Sequence, residues 1–367
     1  MPSLPQRARA VLASTLLAAG LVTATAAGAA GAAPALPYLW ADFDACHIEL
    51  TNVGVGVRVN LRILEPNGTE RMHLNQTTDV SGGVLMDCVG RLRPGERIVA
   101  RKVNPATQKL EPLLTFKLPA VRFVMDRVAD TITVAGFPGG VLNLFVSTCS
   151  LAHRDCLRNN YLDNLPADGS AFKVDTSDDL TGTSFAEVNI GGTQTAVTFL
   201  VDAPHLEVTP GSSKVTGAGT GPKSTVKVGA RTSANLAKGA GSATTALATN
   251  RFSATLLRPN GKPATVVAGD TVSGSFASDA RLTLPAALSI SATGGVLSGA
   301  TCLPLQLFAI EIQLPDGRVV YKDNGRADIS GIVSGYNYSS SMVSGERLLV
   351  LCANGAGDWY TLRSAAQ

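Results

Sequence analysis

Val53-Gly54-Val55-Gly56-Val57-Arg58-Val59-Asn60-Leu61-Arg62-Ile63, with Pro66-Asn67-Gly68 close behind, is the stretch that decides the fold. Six aliphatic residues take alternate positions, with glycine or polar residues between them. A period of two puts the aliphatic set on one face of a strand and leaves the other face to water. Proline presets φ for a turn and glycine accepts positive φ, so an alternating strand ending in Pro-Asn-Gly is one arm of a hairpin with its turn attached. Thr131-Ile132-Thr133-Val134, Thr225-Val226-Lys227-Val228 and Ala309-Ile310-Glu311-Ile312 repeat the alternation. No long stretch has helical period, and residues 160–165 are the one candidate for a turn of helix. The expected class is all-β.

The turn recurs as Pro259-Asn260-Gly261 and Pro315-Asp316-Gly317. Thirteen residues beyond Pro66 and Pro315 lie Asp79-Val80-Ser81-Gly82 and Asp328-Ile329-Ser330-Gly331. Gly95-Glu96-Arg97 and Gly345-Glu346-Arg347 follow, each before an apolar strand, and Gly269-Asp270-Thr271 is comparable. Prolines 37, 119, 204 and 285 stand where apolar runs begin, at intervals of 81 to 85 residues. Self-similarity at a fixed period is the mark of a repeat architecture. Modules of about that length, made of short strands and Gly/Pro turns, have the size and texture of small β-sandwiches. The expectation is four tandem sandwich modules, residues 34–118, 119–203, 204–284 and 285–367, after a signal peptide over 1–33. A continuous barrel or solenoid is the rival.

The leader has three parts. Arg7 and Arg9 form a positive start, residues 10–27 are uncharged and largely apolar, and small residues with Ala-x-Ala cleavage options follow. The apolar stretch is short and rich in Ala, Gly and Thr, which fits a cleaved signal better than an anchor. No later run has spanning length, and 359–367 carries no hydrophobic tail, so no transmembrane anchor is expected. Loss of Arg7 and Arg9 lowers the formal net charge from +3 to +1. A near-neutral chain offers no electrostatic reason to bind nucleic acid.

Six cysteines follow the leader: Cys46, Cys88, Cys149, Cys156, Cys302 and Cys352. An even number in an exported chain reads as disulfides, and the absence of any C-x-x-C argues against a redox or zinc motif. The module boundaries group them as Cys46–Cys88, Cys149–Cys156 and Cys302–Cys352. The middle pair closes a short loop after the strand 141–146, where other modules place their tight turn.

Together, the Pro-Asn/Asp-Gly turns and the late Gly-Asp/Glu turn resemble those of tandem immunoglobulin-like or fibronectin-like repeats of bacterial secreted and surface proteins. The resemblance implies a stalk, adhesion, wall-associated or ligand-binding role and no single chemistry. An antibody-type domain places a Trp between its cysteines. Neither Trp40 nor Trp359 does so.

Motifs for chemistry fail on inspection. In Gly217-Ala218-Gly219-Thr220-Gly221-Pro222-Lys223-Ser224-Thr225, a proline separates the glycine and lysine of a phosphate loop, and a strand follows where a helix is needed. A Gly-rich hairpin is the simpler reading. His153-Arg154-Asp155 lacks the partners of a kinase. His47, His73, His153 and His205 share no metal-ligand spacing. Asp175-Thr176-Ser177-Asp178-Asp179 and Asp323-Asn324-Gly325 with Asp328 are oxygen-rich loops, better explained by Asx turns than by calcium. Neither an enzyme nor a cofactor is expected. Aromatics gather late, in Tyr336, Tyr338, Trp359 and Tyr360, and exposed they would form a face for sugar rings or a partner protein. The leading reading is an exported, non-enzymatic structural or adhesion protein of a bacterial envelope or extracellular space. The alternative is carbohydrate or protein binding through that aromatic face, and an enzyme with a dispersed site ranks third. Polysaccharide, the cell wall or another surface protein are the partners considered.

Overall fold

The computed structural model describes residues 36–43, 46–88, 91–149, 156–246, 250–293, 295–337, 342 and 344–365. The expected signal peptide, 1–33, lies outside them. The described residues form strands and turns without a helix. The first seven strands are β1 (Tyr38–Asp42), β2 (His47–Thr51), β3 (Arg58–Leu64), β4 (Glu70–Thr77), β5 (Val84–Asp87), β6 (Arg97–Val103) and β7 (Leu110–Lys117). Next come β8 (Arg122–Asp126), β9 (Thr131–Ala135), β10 (Val141–Cys149), β11 (Cys156–Asn164), β12 (Phe172–Asp175), β13 (Phe185–Gly191) and β14 (Thr195–Asp202). The chain continues with β15 (His205–Val208), β16 (Lys214–Ala218), β17 (Thr225–Arg231), β18 (Ala237–Thr244), β19 (Arg251–Thr255), β20 (Thr271–Gly274) and β21 (Arg281–Thr283). It ends with β22 (Ile290–Thr293), β23 (Val296–Thr301), β24 (Leu307–Gln313), β25 (Val319–Arg326), β26 (Ile332–Val333), β27 (Tyr336–Asn337), β28 (Arg347–Ala353) and β29 (Trp359–Arg363).

Two broad sheets organise these strands. One runs β11-β10-β13-β14-β1-β2-β5 and shares a core with β12-β9-β8 and β4-β3-β6-β7. The other runs β19-β16-β15-β29-β28-β24-β25 and shares a core with β18-β17-β20-β21 and the small sheet around β23. Each broad sheet is made continuous by a parallel pair between strands far apart in sequence. Leu39 to Asp42 face Thr195 to Thr198, and Glu207-Val208 face Trp359-Tyr360. The apolar core divides at the same place, one part spanning Leu39 to Ala203 and the other Leu206 to Leu362.

The alternation in 53–63 is realised from Arg58 onward, where Val59, Leu61 and Ile63 are fully or almost fully buried. Residues 53–57 turn before the strand begins. The three Pro-Asn/Asp-Gly turns share one geometry. Gly68, Gly261 and Gly317 all have positive φ, and each N–H donates three residues back, to the carbonyls of Glu65, Arg258 and Leu314. The first and third join β3 to β4 and β24 to β25, whereas the second follows β19. Residues 160–164 belong to β11, which pairs with β10 over nine positions, so the expected helical turn does not form. The β10 ladder satisfies that backbone more fully than one isolated turn could. Asp323, Asn324 and Gly325 also lie in a strand, β25, and not in a loop.

Cys46–Cys88 and Cys302–Cys352 are bonded. The first staples neighbouring strands of one sheet, beside the pair His47–Asp87. The second ties the end of β23 to β28, joining two different sheets. Cys149 and Cys156 oppose each other at the end of the β10–β11 ladder, and the loop 150–155, with His153-Arg154-Asp155, lies outside the described residues.

Candidate functional site

A buried polar cluster lies where the two halves meet. Arg127, just after β8, is 4% exposed. Its Nη1 and Nη2 donate to Asp358 Oδ1 and Oδ2, both at 3.1 Å. Nη1 also donates to the carbonyls of Pro204 (2.8 Å) and Ala356 (3.1 Å), and Nε to Asp279 Oδ1 (3.1 Å). The Phe276 ring lies 5.7 Å from the guanidinium carbon. One side chain thus binds groups from the β20–β21 connection, the β28–β29 turn and the residue entering β15. Asp358, fully buried, also accepts the Leu206 N–H at 2.7 Å. A planar guanidinium suits this work because its donors form a rigid fork that matches a carboxylate. A buried charge is tolerable only when its hydrogen-bonding capacity is used.

Around this pair the backbones come into contact. Gly182 N–H donates to the Ala356 carbonyl at 2.8 Å. A Cβ on Gly182 would stand 2.4 Å from the Gly357 carbonyl oxygen, so only glycine fits. Met125 N–H donates to the Thr220 carbonyl, and a Cβ on Gly221 would stand 2.3 Å from the Phe123 carbonyl oxygen. The glycines of 217–221 therefore permit close backbone approach. The stretch also crosses from β16 in one sheet to β17 in another, which corrects the hairpin expectation.

A second ionic group adjoins the first. His205, 1% exposed, stacks on Trp359 at 4.3 Å between ring centroids. Its Nδ1 lies 2.7 Å from the Ala203 carbonyl and its Nε2 3.0 Å from Glu207 Oε1. Arg251 pairs with Glu207 and, through Nε at 2.8 Å, with Asp202. Burial by itself would raise the Glu207 carboxyl, but Arg251 and the His205 hydrogen bond outweigh it and hold the group well below the usual carboxylate range. Burial likewise opposes the charge on Arg251, and Glu207 and Asp202 reverse this and push its pKa up.

The aromatic face expected from Tyr336, Tyr338, Trp359 and Tyr360 is not formed by the described members. Tyr360 is fully buried in the core and donates its hydroxyl to the Thr301 carbonyl at 2.9 Å. Trp359 is 8% exposed, on the opposite side of β29, under His205. Tyr336 is half-buried, edge-on to Phe308. Tyr338 lies outside the described residues. Trp359 and Tyr360 fill interior space because β29 is an inner strand of a broad sheet.

The oxygen-rich segments spend their acceptors on protein donors. Asp178 accepts from Asn159 Nδ2 (2.5 Å) and the Tyr161 hydroxyl (2.9 Å). Asp79 and Asp328 each accept from the N–H and hydroxyl of the serine two residues on, and from a further N–H at Gly83 or Ile332. Those serine hydrogen bonds lead the causes that hold both carboxyls below their ordinary value. Of the other histidines, His47 contacts Asp87 and His73 contacts Glu70. Sequence reasoning missed Arg127 and Asp358, which are 231 residues apart with no local motif around either.

No family model matches the chain, and no curated protein matches it. Among solved structures, the tetra-tandem repeat in the extending region of a large adhesion protein is 17% identical, over 90% of this chain and 99% of that chain, at a TM-score of 0.17. A structure concerned with host cell surface retention of a 1.5-MDa bacterial ice-binding adhesin is 12% identical, over 91% and 98%, also at 0.17. Native E. coli alpha-2-macroglobulin is 10% identical, over 90% of this chain and 28% of that one, at 0.16. Likenesses this slight carry no functional weight.

Proposed function

We propose that the chain is an exported, non-enzymatic structural or adhesion protein of a bacterial envelope or extracellular space. In this reading four β-sandwich modules, residues 34–118, 119–203, 204–284 and 285–367, follow a cleaved leader over 1–33. The observation that carries it is the joint. Backbone pairing between β1 and β14 and between β15 and β29, with the buried Arg127–Asp358 pair between the halves, makes a body that holds its parts in fixed relation. Flexible linkers would leave neighbouring modules free to rotate, whereas shared sheets and a desolvated ion pair resist it. A chain that transmits position or load needs that property.

The test is to produce the chain from Met1 in a secretion-competent bacterium and fractionate the culture. The expected result is a processed, disulfide-bonded protein outside the cytoplasm, with cells that lack it attaching less to surfaces or to one another. Unprocessed chain in the cytoplasm would sink the export reading. Hydrolytic activity that survives purification and disappears with one polar substitution would sink the non-enzymatic one.

A further inference from the structure

A concavity of about 1300 Å³ runs along β7. β7 ends its sheet, in the order β4-β3-β6-β7, so one side of the strand has no partner strand among the described residues. Leu118 exchanges hydrogen bonds with Gly95 and Glu96 on the β6 side. In an antiparallel ladder alternate residues bond to alternate sides, so the N–H and C=O of Thr115 and Lys117 point outward. An open edge of this kind is a template for another strand, which proteins normally blunt. Here the blunting is partial. Pro112 and the bulge at Ala100/Arg101 spoil the first half of β7, and the groove is lined by the second half, Leu113 to Lys117.

The groove also has a sign. Lys117, Arg122 and Lys223 line it, all exposed, and no Asp or Glu does. Among the described residues none of the three has an ion-pair partner. Lys223 is held at φ +56°, a costly conformation for a side-chain-bearing residue, in the loop that packs on β8. Leu113 and Phe116, partly buried, supply apolar surface beside the cations.

We propose that this groove binds an extended segment of a partner protein, in which acidic residues alternate with apolar ones, as an added strand on β7. Main-chain hydrogen bonds to Thr115 and Lys117 give affinity, the apolar side chains pack on Leu113 and Phe116, and the acidic ones meet Lys117, Arg122 and Lys223. This goes beyond a structural role for the chain and does not depend on it.

The test uses the mature chain from Pro34 and a short peptide of alternating valine and glutamate. The expected result is saturable binding that slows hydrogen exchange at the Thr115 and Lys117 amides. Thr115→Pro removes an outward N–H without touching the β6 ladder, and Lys117→Glu/Arg122→Glu/Lys223→Glu reverses the charge. Each should weaken binding by about tenfold or more at unchanged thermal stability. Four outcomes overturn the proposal. They are no slowing at those amides, equal affinity for a valine–lysine peptide, and capture of polygalacturonate that Thr115→Pro leaves intact, which marks a saccharide site. The fourth is protection already present in the chain from Met1, since Leu39 N–H bonds to Gln194 at one end of the groove and the leader itself would then be the occupant.

Discussion

Glu311 shows how one residue can oppose its own fold. It lies within β24, 8% exposed, between Leu349 and Tyr321 in the register, and its carboxyl has no hydrogen-bond partner among the described residues. Burial pushes its carboxyl up from 4.5 to about 7. For an acid whose folded pKa is raised, the unfolded chain releases its proton first. Stability is therefore full below pH 4.5 and falls as pH rises towards 7, by about 3 kcal/mol at most. Glu311→Gln should raise the melting temperature at pH 8 and leave it nearly unchanged at pH 4, as a pH series of thermal melts would show. The alternation in 309–312 marks Glu311 as facing away from Ile310 and Ile312, but not that the outer face of this strand is covered as well. Trp359 and Tyr360 teach the same lesson. Their composition fits a binding face or a core equally, and only the position of β29 chooses between them.

At the scale of elements, the late Gly-Asp/Glu turn is a device repeated before β6, β20 and β28. Glu96 Oε2 accepts the Arg93 N–H and Asp270 Oδ2 the Val267 N–H, each three residues back. The carboxylates also meet Arg71 and Lys238 from the strands two places earlier. Ser184 fills the place before β13, accepting the Thr181 N–H at 3.0 Å, with a hydroxyl where the others have an acid. The turn was readable at three sites because Gly-acid precedes an apolar run, and unreadable at the fourth because a serine does the same job without the pattern. Asp270→Ala takes a part-buried acceptor from the Val267 N–H and the Lys238 ammonium and should cost about 1–3 kcal/mol. Ser184→Ala, which strands one neutral donor, should cost less. Chemical denaturation midpoints at unchanged slope check both. Replacing Cys302 and Cys352 together by Ala should cost about 2–4 kcal/mol, because the bridge closes a 50-residue separation in the unfolded chain.

For the whole molecule, the joint couples two halves that have separate cores. Arg127→Ala leaves Asp358 buried without its partner and should destabilise by about 3–5 kcal/mol. It should also turn one calorimetric transition into two, as each half melts on its own. Gly182→Ala brings a methyl against the Gly357 carbonyl, where neither backbone can yield, and should loosen the joint in the same way. A variant that keeps a single transition would show that other contacts hold the halves together. The sequence by itself determined the all-β class, the hairpin turns and the grouping of Cys46 with Cys88 and of Cys302 with Cys352. These follow from a period of two, from φ preferences and from spacing, all of which are local quantities. Tertiary structure alone decided that β1 pairs with β14 and β15 with β29, that one disulfide lies within a sheet and the other between sheets, and that Arg127 meets Asp358. The two parallel strand pairs and the ion pair join residues more than 150 positions apart, where no local pattern constrains them. They are selected only when the assembled sheets bring one open edge, or one buried charge, to a group that satisfies it.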